Sequence, residues 1–249
     1  MQPGGPVPML ASVSLQRSVA MLASVPAVVL CGKVQPLGAN GQSSAIAKVK
    51  VDGPWRITRV GLVGDAQADL KHHGGPEKAI PHYARDHYAA WREEIGAHPL
   101  LDVPGAFGEN FSTSGWTEET VHVGDMVRFG SALLQVSQGR EPCWKLNVRF
   151  GRKDVAYRTQ ASGRTGWYYR VLEEGVAEAS DRLRLVERPR PQWPLSRIIA
   201  LLYRHKDRYD ELAQMAGIPE LAAGWRTLAT RRVQSRATED WARRLDEPQ

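Results

Sequence analysis

From residue 27 to about residue 186 the chain is written in short β-type runs broken at close intervals by turn residues, and this texture constrains the fold most. Runs at 28–34, 46–51, 57–62, 120–123, 126–129 and 132–136 are rich in Val, Ile and Leu. Asp52-Gly53, Gly124-Asp125 and Gly130-Ser131 punctuate them. Branched apolar residues suit a pleated, half-buried surface, while Gly and Asp supply the backbone freedom of turns. Many short strands at this spacing predict a barrel or sandwich, not a parallel α/β sheet. A helix is predicted over 77–95, rich in Ala, His, Tyr and Glu, with Pro81 in its first turns where a missing N–H is tolerated. Another begins near 153, ahead of a strand at 166–172, and a last strand covers 182–186.

Pro189, Pro191 and Pro194 then stiffen the chain and mark a boundary. Beyond them, 195–203, 209–216, 221–231 and 239–245 are short helical patterns separated by Gly217, Pro219 and Gly224. The reading is therefore a mainly β chain with α elements. A disordered N-terminal extension covers 1–26, a β-barrel domain with inserted helices 27–190, and a small C-terminal helical domain 191–249. In the extension, Met9 to Val13 recurs letter for letter at Met21 to Val25, which makes Met21 a candidate first residue. The apolar stretch 19–30 lacks a small-residue cleavage site and is too short for a membrane helix, which needs about 20 residues.

At 249 residues, 42% hydrophobic and 24% charged, the chain can bury a full core without a disulfide or metal to hold it. Two distant cysteines exclude a secreted disulfide framework and point to a reduced, cytoplasmic setting. The net charge of +6 attracts anions, but no compact Lys/Arg block interleaved with aromatics occurs, so nucleic acid is not an expected partner. Walker and dinucleotide fingerprints are absent, which argues against direct ATP or NAD chemistry.

Three motifs carry chemistry. In Gln138-Gly139-Arg140-Glu141-Pro142-Cys143-Trp144-Lys145-Leu146-Asn147, Cys143 sits in a loop leaving a strand, between two cations that would favour its thiolate. A thiolate is a nucleophile and a soft metal ligand, although a lone cysteine is commonly just a small buried side chain. In Lys71-His72-His73-Gly74-Gly75-Pro76-Glu77-Lys78, paired glycines and cations before a helix suit a phosphate. Adjacent histidines in extended chain point to opposite faces and seldom share one ion. Gly108-Glu109-Asn110-Phe111 reads on spacing alone as a turn. His82 and His87, offset around the predicted helix, are expected to be solvated or at the edge of the core.

Taken in order, these motifs resemble the MOSC domain. Supporting pieces are Gly61-Leu62-Val63-Gly64-Asp65, Phe107-Gly108-Glu109-Asn110, Val123-Gly124-Asp125 and Gly166-Trp167-Tyr168-Tyr169-Arg170. The C-terminal stretch, with Tyr203-Arg204-His205-Lys206-Asp207, resembles the three-helix appendage of YiiM-like members, so the likeness runs from about 28 to 245. It departs at Gly139, where proline is expected, a change that loosens the loop entry.

The resemblance implies a MOSC β-barrel and a molybdenum cofactor (molybdopterin) whose metal is bound by Cys143, the catalytic residue. It implies cofactor binding by Lys71, His73, Gly74, Gly75, Lys78, Glu109, Asn110, Arg140, Lys145 and Asn147. The implied activity is reduction of N-hydroxylated compounds such as 6-hydroxylaminopurine, a detoxification; a cofactor carrier or sulfuration factor is the alternative. With no flavin, iron–sulfur or NAD motif in the chain, a flavoprotein reductase is the expected electron donor. The C-terminal helices would serve as a homodimer contact or as a wall over the cofactor pocket.

Overall fold

The apolar runs become strands, and a computed structural model describing residues 24–68 and 74–247 shows how they join. The strands are β1 Ser24–Pro26, β2 Val28–Gly32, β3 Gln35–Leu37, β4 Gln42–Ser44, β5 Lys48–Lys50, β6 Trp55–Thr58 and β7 Gly61–Leu62. They continue as β8 Ile80–Ala84, β9 Phe111–Thr113, β10 Met126–Phe129, β11 Ala132–Gly139, β12 Trp167–Glu173, β13 Gly175–Ala177 and β14 Arg182–Glu187. Nine of them form one sheet in the order β1-β14-β10-β11-β12-β8-β9-β2-β5, curled into a half-barrel. Within it β8 and β9 run parallel, with His82 opposite Phe111. Val127, Phe129, Leu134, Val136, Trp167, Tyr169 and Phe111 fill the inside. Burying each large apolar side chain is worth about 1.5–3 kcal/mol before its lost entropy is counted.

The helices are α1 His87–Ile95, α2 Lys145–Phe150, α3 Val155–Ser162, α4 Leu195–Tyr203, α5 Tyr209–Ala216, α6 Ala223–Ser235 and α7 Ala242–Leu245. Ile198, Ile199, Leu202, Leu212, Met215 and Trp225 from α4 to α6 share one apolar core with the sheet. A second core joins Tyr83, Tyr88, Trp91, Phe107, Leu146, Phe150 and Leu245. Among the described residues no helix is long and apolar enough to cross a membrane.

Several sequence expectations need correction. The helix predicted over 77–95 is confined to α1; Pro76–Lys78 is a single 3-10 turn and Ile80–Ala84 is a central strand. All five residues of β8 are buried, so its two-sided burial masks the alternation that would mark a half-exposed strand. Helix α1 turns Tyr88 and Trp91, three apart, into the second core and stops at Gly96, whose φ of 82° favours glycine. His82 is therefore fully buried in a strand, between the Tyr169 hydroxyl at 3.1 Å and the Thr113 hydroxyl at 2.8 Å. His87 opens α1 and meets the Glu118 carboxylate at 2.6 Å.

Residues 120–123 form no strand: His122 N–H donates to Asp125 and Val123 N–H to the Trp193 carbonyl. The 57–62 run splits into the hairpin β6–β7. Ser24 to Pro26, placed in the N-terminal extension, pair instead with β14; residues 1–23 lie outside the described residues.

Candidate cofactor site

Strand β11 delivers the cysteine loop to the edge of the half-barrel. Gly139 is its last residue, opposite Trp167, and a Cβ there would stand 2.8 Å from Trp225 and 3.1 Å from Ile199. The position expected to be loose is thus fitted closely against the helical unit. Arg140 N–H donates to the Gly166 carbonyl at 2.9 Å, after which Glu141, Pro142 and Cys143 cross to α2.

Cys143 lies on the wall of an open cleft of about 790 Å³. Lys48, Pro81, Phe107, Arg140, Lys145 and Tyr168 share that wall, with Ile46, Leu146, Thr159 and Thr165. Pro81 interrupts β8 here without leaving an N–H unpaired. Phe107 stacks on Tyr83 at a ring separation of 4.0 Å, and Tyr83 accepts a hydrogen bond from the Trp91 indole at 2.7 Å. The aromatic wall is thereby anchored in the second core.

Arg140 stands at the entry to the cysteine loop, on the cleft wall. Its Nη2 donates to the Phe107 carbonyl at 2.6 Å and its guanidinium lies 5.8 Å from the Tyr168 ring centre. Its Nη1 is buried with no partner among the described residues. A buried donor left unmatched costs about 1–3 kcal/mol, so a ligand acceptor at that point gains what the fold forgoes.

Charge around the cysteine falls short of the expectation. Burial pushes the Cys143 thiol up, and this outweighs the Lys145 backbone N–H and the charges of Lys145, Arg140 and Arg244, all of which pull it down. In the protein alone the thiol form is favoured, because the two flanking cations do not offset the apolar surroundings. Cys31 is pushed up to about 11 by burial and by the negative charge of Asp65, against Lys48.

The remaining predicted site residues separate into groups. Lys145 lines the cleft with Cys143 and Arg140. Lys78 pairs with Glu141 at 3.2 Å, beside the cysteine loop. Gly74 and Gly75 precede the Pro76–Lys78 turn, where Gly75 has φ 92° and open space at its Cβ position. Lys71 and His73 lie outside the described residues.

Glu109, Asn110 and Asn147 are not among the residues lining the cleft. The Glu109 carboxylate is fully buried and accepts from Gly105 N–H at 2.8 Å, Phe107 N–H at 3.0 Å and the Tyr88 hydroxyl at 3.1 Å. Asn110 Nδ2 donates to the Leu30 carbonyl at 2.7 Å. Asn147 donates to the Leu245 carbonyl at 3.0 Å and accepts from Ala156 N–H at 2.7 Å. Their hydrogen bonds shape the loops around the cleft, while Asn110 Oδ1 is buried with no partner among the described residues.

Lys48 was not singled out by sequence. It is buried at the cleft, 2.5 Å from Asp65, whose other oxygen accepts from Gly32 N–H at 2.7 Å. Burial lowers its pKa and the Asp65 carboxylate opposes that. The signal available was a lysine on a strand whose partner, Asp65, closes a recognised motif.

A curled sheet that presents one cysteine loop over an open cleft, backed by a helical bundle, has the architecture of a MOSC protein. The MOSC domain model matches residues 69–184, and the YiiM-like 3-alpha helix domain model matches 193–236. Protein YiiM of Escherichia coli (strain K12) is 42% identical over 224 residues, covering 88% of this chain and 97% of that protein. The crystal structure of YiiM from Escherichia coli superposes with a TM-score of 0.77 at 34% identity, over 90% of this chain and 99% of that one. A protein named Reductase from Gibberella moniliformis is 37% identical over 193 residues, 77% of this chain but 34% of that longer protein. The chain belongs to the MOSC family, in the branch that carries the YiiM-like three-helix domain. MOSC domains are in general associated with the molybdenum cofactor.

Proposed function

We propose that this protein is a molybdenum-cofactor-dependent reductase of N-hydroxylated compounds such as 6-hydroxylaminopurine, with Cys143 as the protein's ligand to the metal. The observation that carries the reading is that Cys143 shares one cleft wall with Arg140, whose Nη1 has no partner among the described residues. Cys143 is a single soft donor. Among the described residues no group of three or more His, Cys, Asp or Glu stands together to hold an ion. A metal that brings further ligands of its own, as molybdenum does in molybdopterin, suits a site with one such donor among the described residues.

When bound, the cofactor supplies two-electron removal of oxygen from the N–OH group. In balance, the hydroxylamine takes up two electrons and two protons to give the amine and water. The chain's own part is to bind, orient and exclude water. Arg140 and Lys145 hold anionic oxygens of the cofactor; Lys71, Lys78 and His73 remain candidates for the same task. Phe107 and Tyr168 offer apolar faces for a flat heterocycle, and Thr159 and Thr165, whose hydroxyls donate to the Val155 and Gly166 carbonyls, complete the wall. A flavoprotein reductase supplies the electrons.

Metal and pterin analysis of the purified protein tests this directly. About one molybdenum per chain is expected in the wild type and in Cys31→Ser, with loss in Cys143→Ser. Zinc, or no metal, would reject the cofactor. Molybdenum without turnover of an N-hydroxylated base, with an artificial electron donor present, would leave a cofactor carrier in place of a reductase.

A further inference from the structure

The two peptide groups that flank Cys143 are both held by one residue 101 positions later, Arg244. Its guanidinium Nη1 donates to the Pro142 carbonyl, and its own carbonyl accepts from Trp144 N–H at 2.8 Å. Its Nη2 donates to Gln160 Oε1, which ties the same side chain to α3. One residue further on, the Leu245 carbonyl accepts from Asn147 of α2 at 3.0 Å, and the buried Leu245 side chain packs in the second core with Leu146. The segment is fixed at its other end too. Trp241 lies edge-on to Tyr203 at 5.6 Å and donates to Glu239 at 2.8 Å, and Glu239 is bound by the buried Arg232 of α6. Residues 239–245 thus run as a brace from the helical unit to the cysteine loop, beyond the 193–236 span of the three-helix match.

Trp144, the residue before α2, makes no side-chain cap, and the Lys145 N–H that follows faces the Cys143 thiol itself. The Trp144 amide has no acceptor within the helix, so without the Arg244 carbonyl this end would fray and carry Cys143 with it. A ligand must be held within about 0.5 Å to be of use, and loops achieve that only through outer contacts.

We propose that Arg244 is a positioning residue that fixes Cys143 on the cleft wall, so that the C-terminal brace is part of the site's machinery. The proposal rests on Cys143 being the functional side chain of that cleft. Its test uses the full chain without cofactor: backbone amide exchange in wild type, Arg244→Ala, Arg244→Lys and, as control, the exposed neighbour Arg243→Ala.

Arg244→Ala keeps the carbonyl that Trp144 donates to but loses the bonds to Pro142 and Gln160 that hold it in place, so exchange of the Trp144 and Leu146 amides is expected to rise about ten-fold or more while β11 and β12 keep their protection. Arg244→Lys should regain part of that protection, and Arg243→Ala should match the wild type. Unchanged exchange at Trp144, or exchange raised alike throughout the sheet, would overturn the proposal, as would no recovery in the lysine variant. In the molybdenum-loaded protein, Arg244→Ala is expected to retain about ten-fold less metal through gel filtration; wild-type retention would count equally against it. Wild-type protein that carries no molybdenum would sink the cofactor reading, yet the exchange measurements would still decide the role of Arg244.

Discussion

Arg140 Nη2 donates to the carbonyl of Phe107 at 2.6 Å, so the entry to the cysteine loop and the aromatic wall of the cleft are one unit. The planar fork explains why one nitrogen can do this while the other has no partner among the described residues. Arg140→Lys keeps the charge but cannot serve both directions. Molybdenum retained per chain after gel filtration is expected to fall about ten-fold in Arg140→Lys and further in Arg140→Ala. Equal retention in all three proteins would remove Arg140 from the site.

Glu109 has a different duty. Its carboxylate gathers two backbone N–H groups and the Tyr88 hydroxyl, and Arg149 holds the Gly105 and Ala106 carbonyls at 2.8 Å each from the other side. Glu109→Gln turns an NH₂ donor toward those donors and should cost about 2–3 kcal/mol of stability. Denaturant titration is expected to show the loss, with cofactor content per folded molecule unchanged. Selective loss of cofactor at full stability would assign Glu109 to ligand binding after all.

His82 gives the fold a pH dependence of known sign. Complete burial, with the charge of Arg140 adding to it, holds the ring's pKa well below its ordinary value of 6.5. The unfolded chain takes up a proton near that value and the folded chain does not. This contribution to stability is therefore complete above pH 6.5 and is lost as pH falls below it. The loss should be about 1.4 kcal/mol for each further unit until the lowered value is reached. His82→Gln retains a donor and an acceptor for Thr113 and Tyr169 but does not titrate. Its denaturation midpoint should fall less steeply than the wild type's between pH 6.5 and 5; parallel curves would show that the ring is not neutral in the fold.

Gly166 has φ 70°, and a Cβ there would come within 2.3 Å of the His82 carbonyl and 3.1 Å of Tyr83. Gly166→Ala should lower stability by about 3 kcal/mol, read as a fall in Tm. Because Thr165 and Tyr168 flank it on the cleft wall, cofactor retention should fall as well.

Where local pattern and final environment agree, the sequence was readable. Leu195–Tyr203 and Tyr209–Ala216 pack one apolar stripe each onto the core and appear with the bounds their periodicity indicates. Met126–Phe129 alternates cleanly and does the same. Strand β8 was hidden because its residues are buried on both faces and include Ala, His and Pro, whose local preferences say nothing of a central strand. In the site, Cys143, Arg140 and Lys145 sit together on contiguous chain. Glu109, Asn110 and Asn147 carry the same polar chemistry as ligand-binding residues, but Glu109 spends it on its own loop and the Tyr88 hydroxyl, and the two amide side chains donate to the distant Leu30 and Leu245 carbonyls. Arg244 gave no signal at all, since its partners lie about a hundred residues away.

That separation sets an order of events during synthesis. At a ribosomal rate of about 5–20 residues per second, Cys143 is made several seconds before Arg244 exists to bond either side of it. The sheet and its cysteine can be assembled early, but the loop acquires its last hydrogen bonds only when the distal segment emerges. Whatever the cleft binds through that loop is then gripped only after synthesis has passed the distal segment.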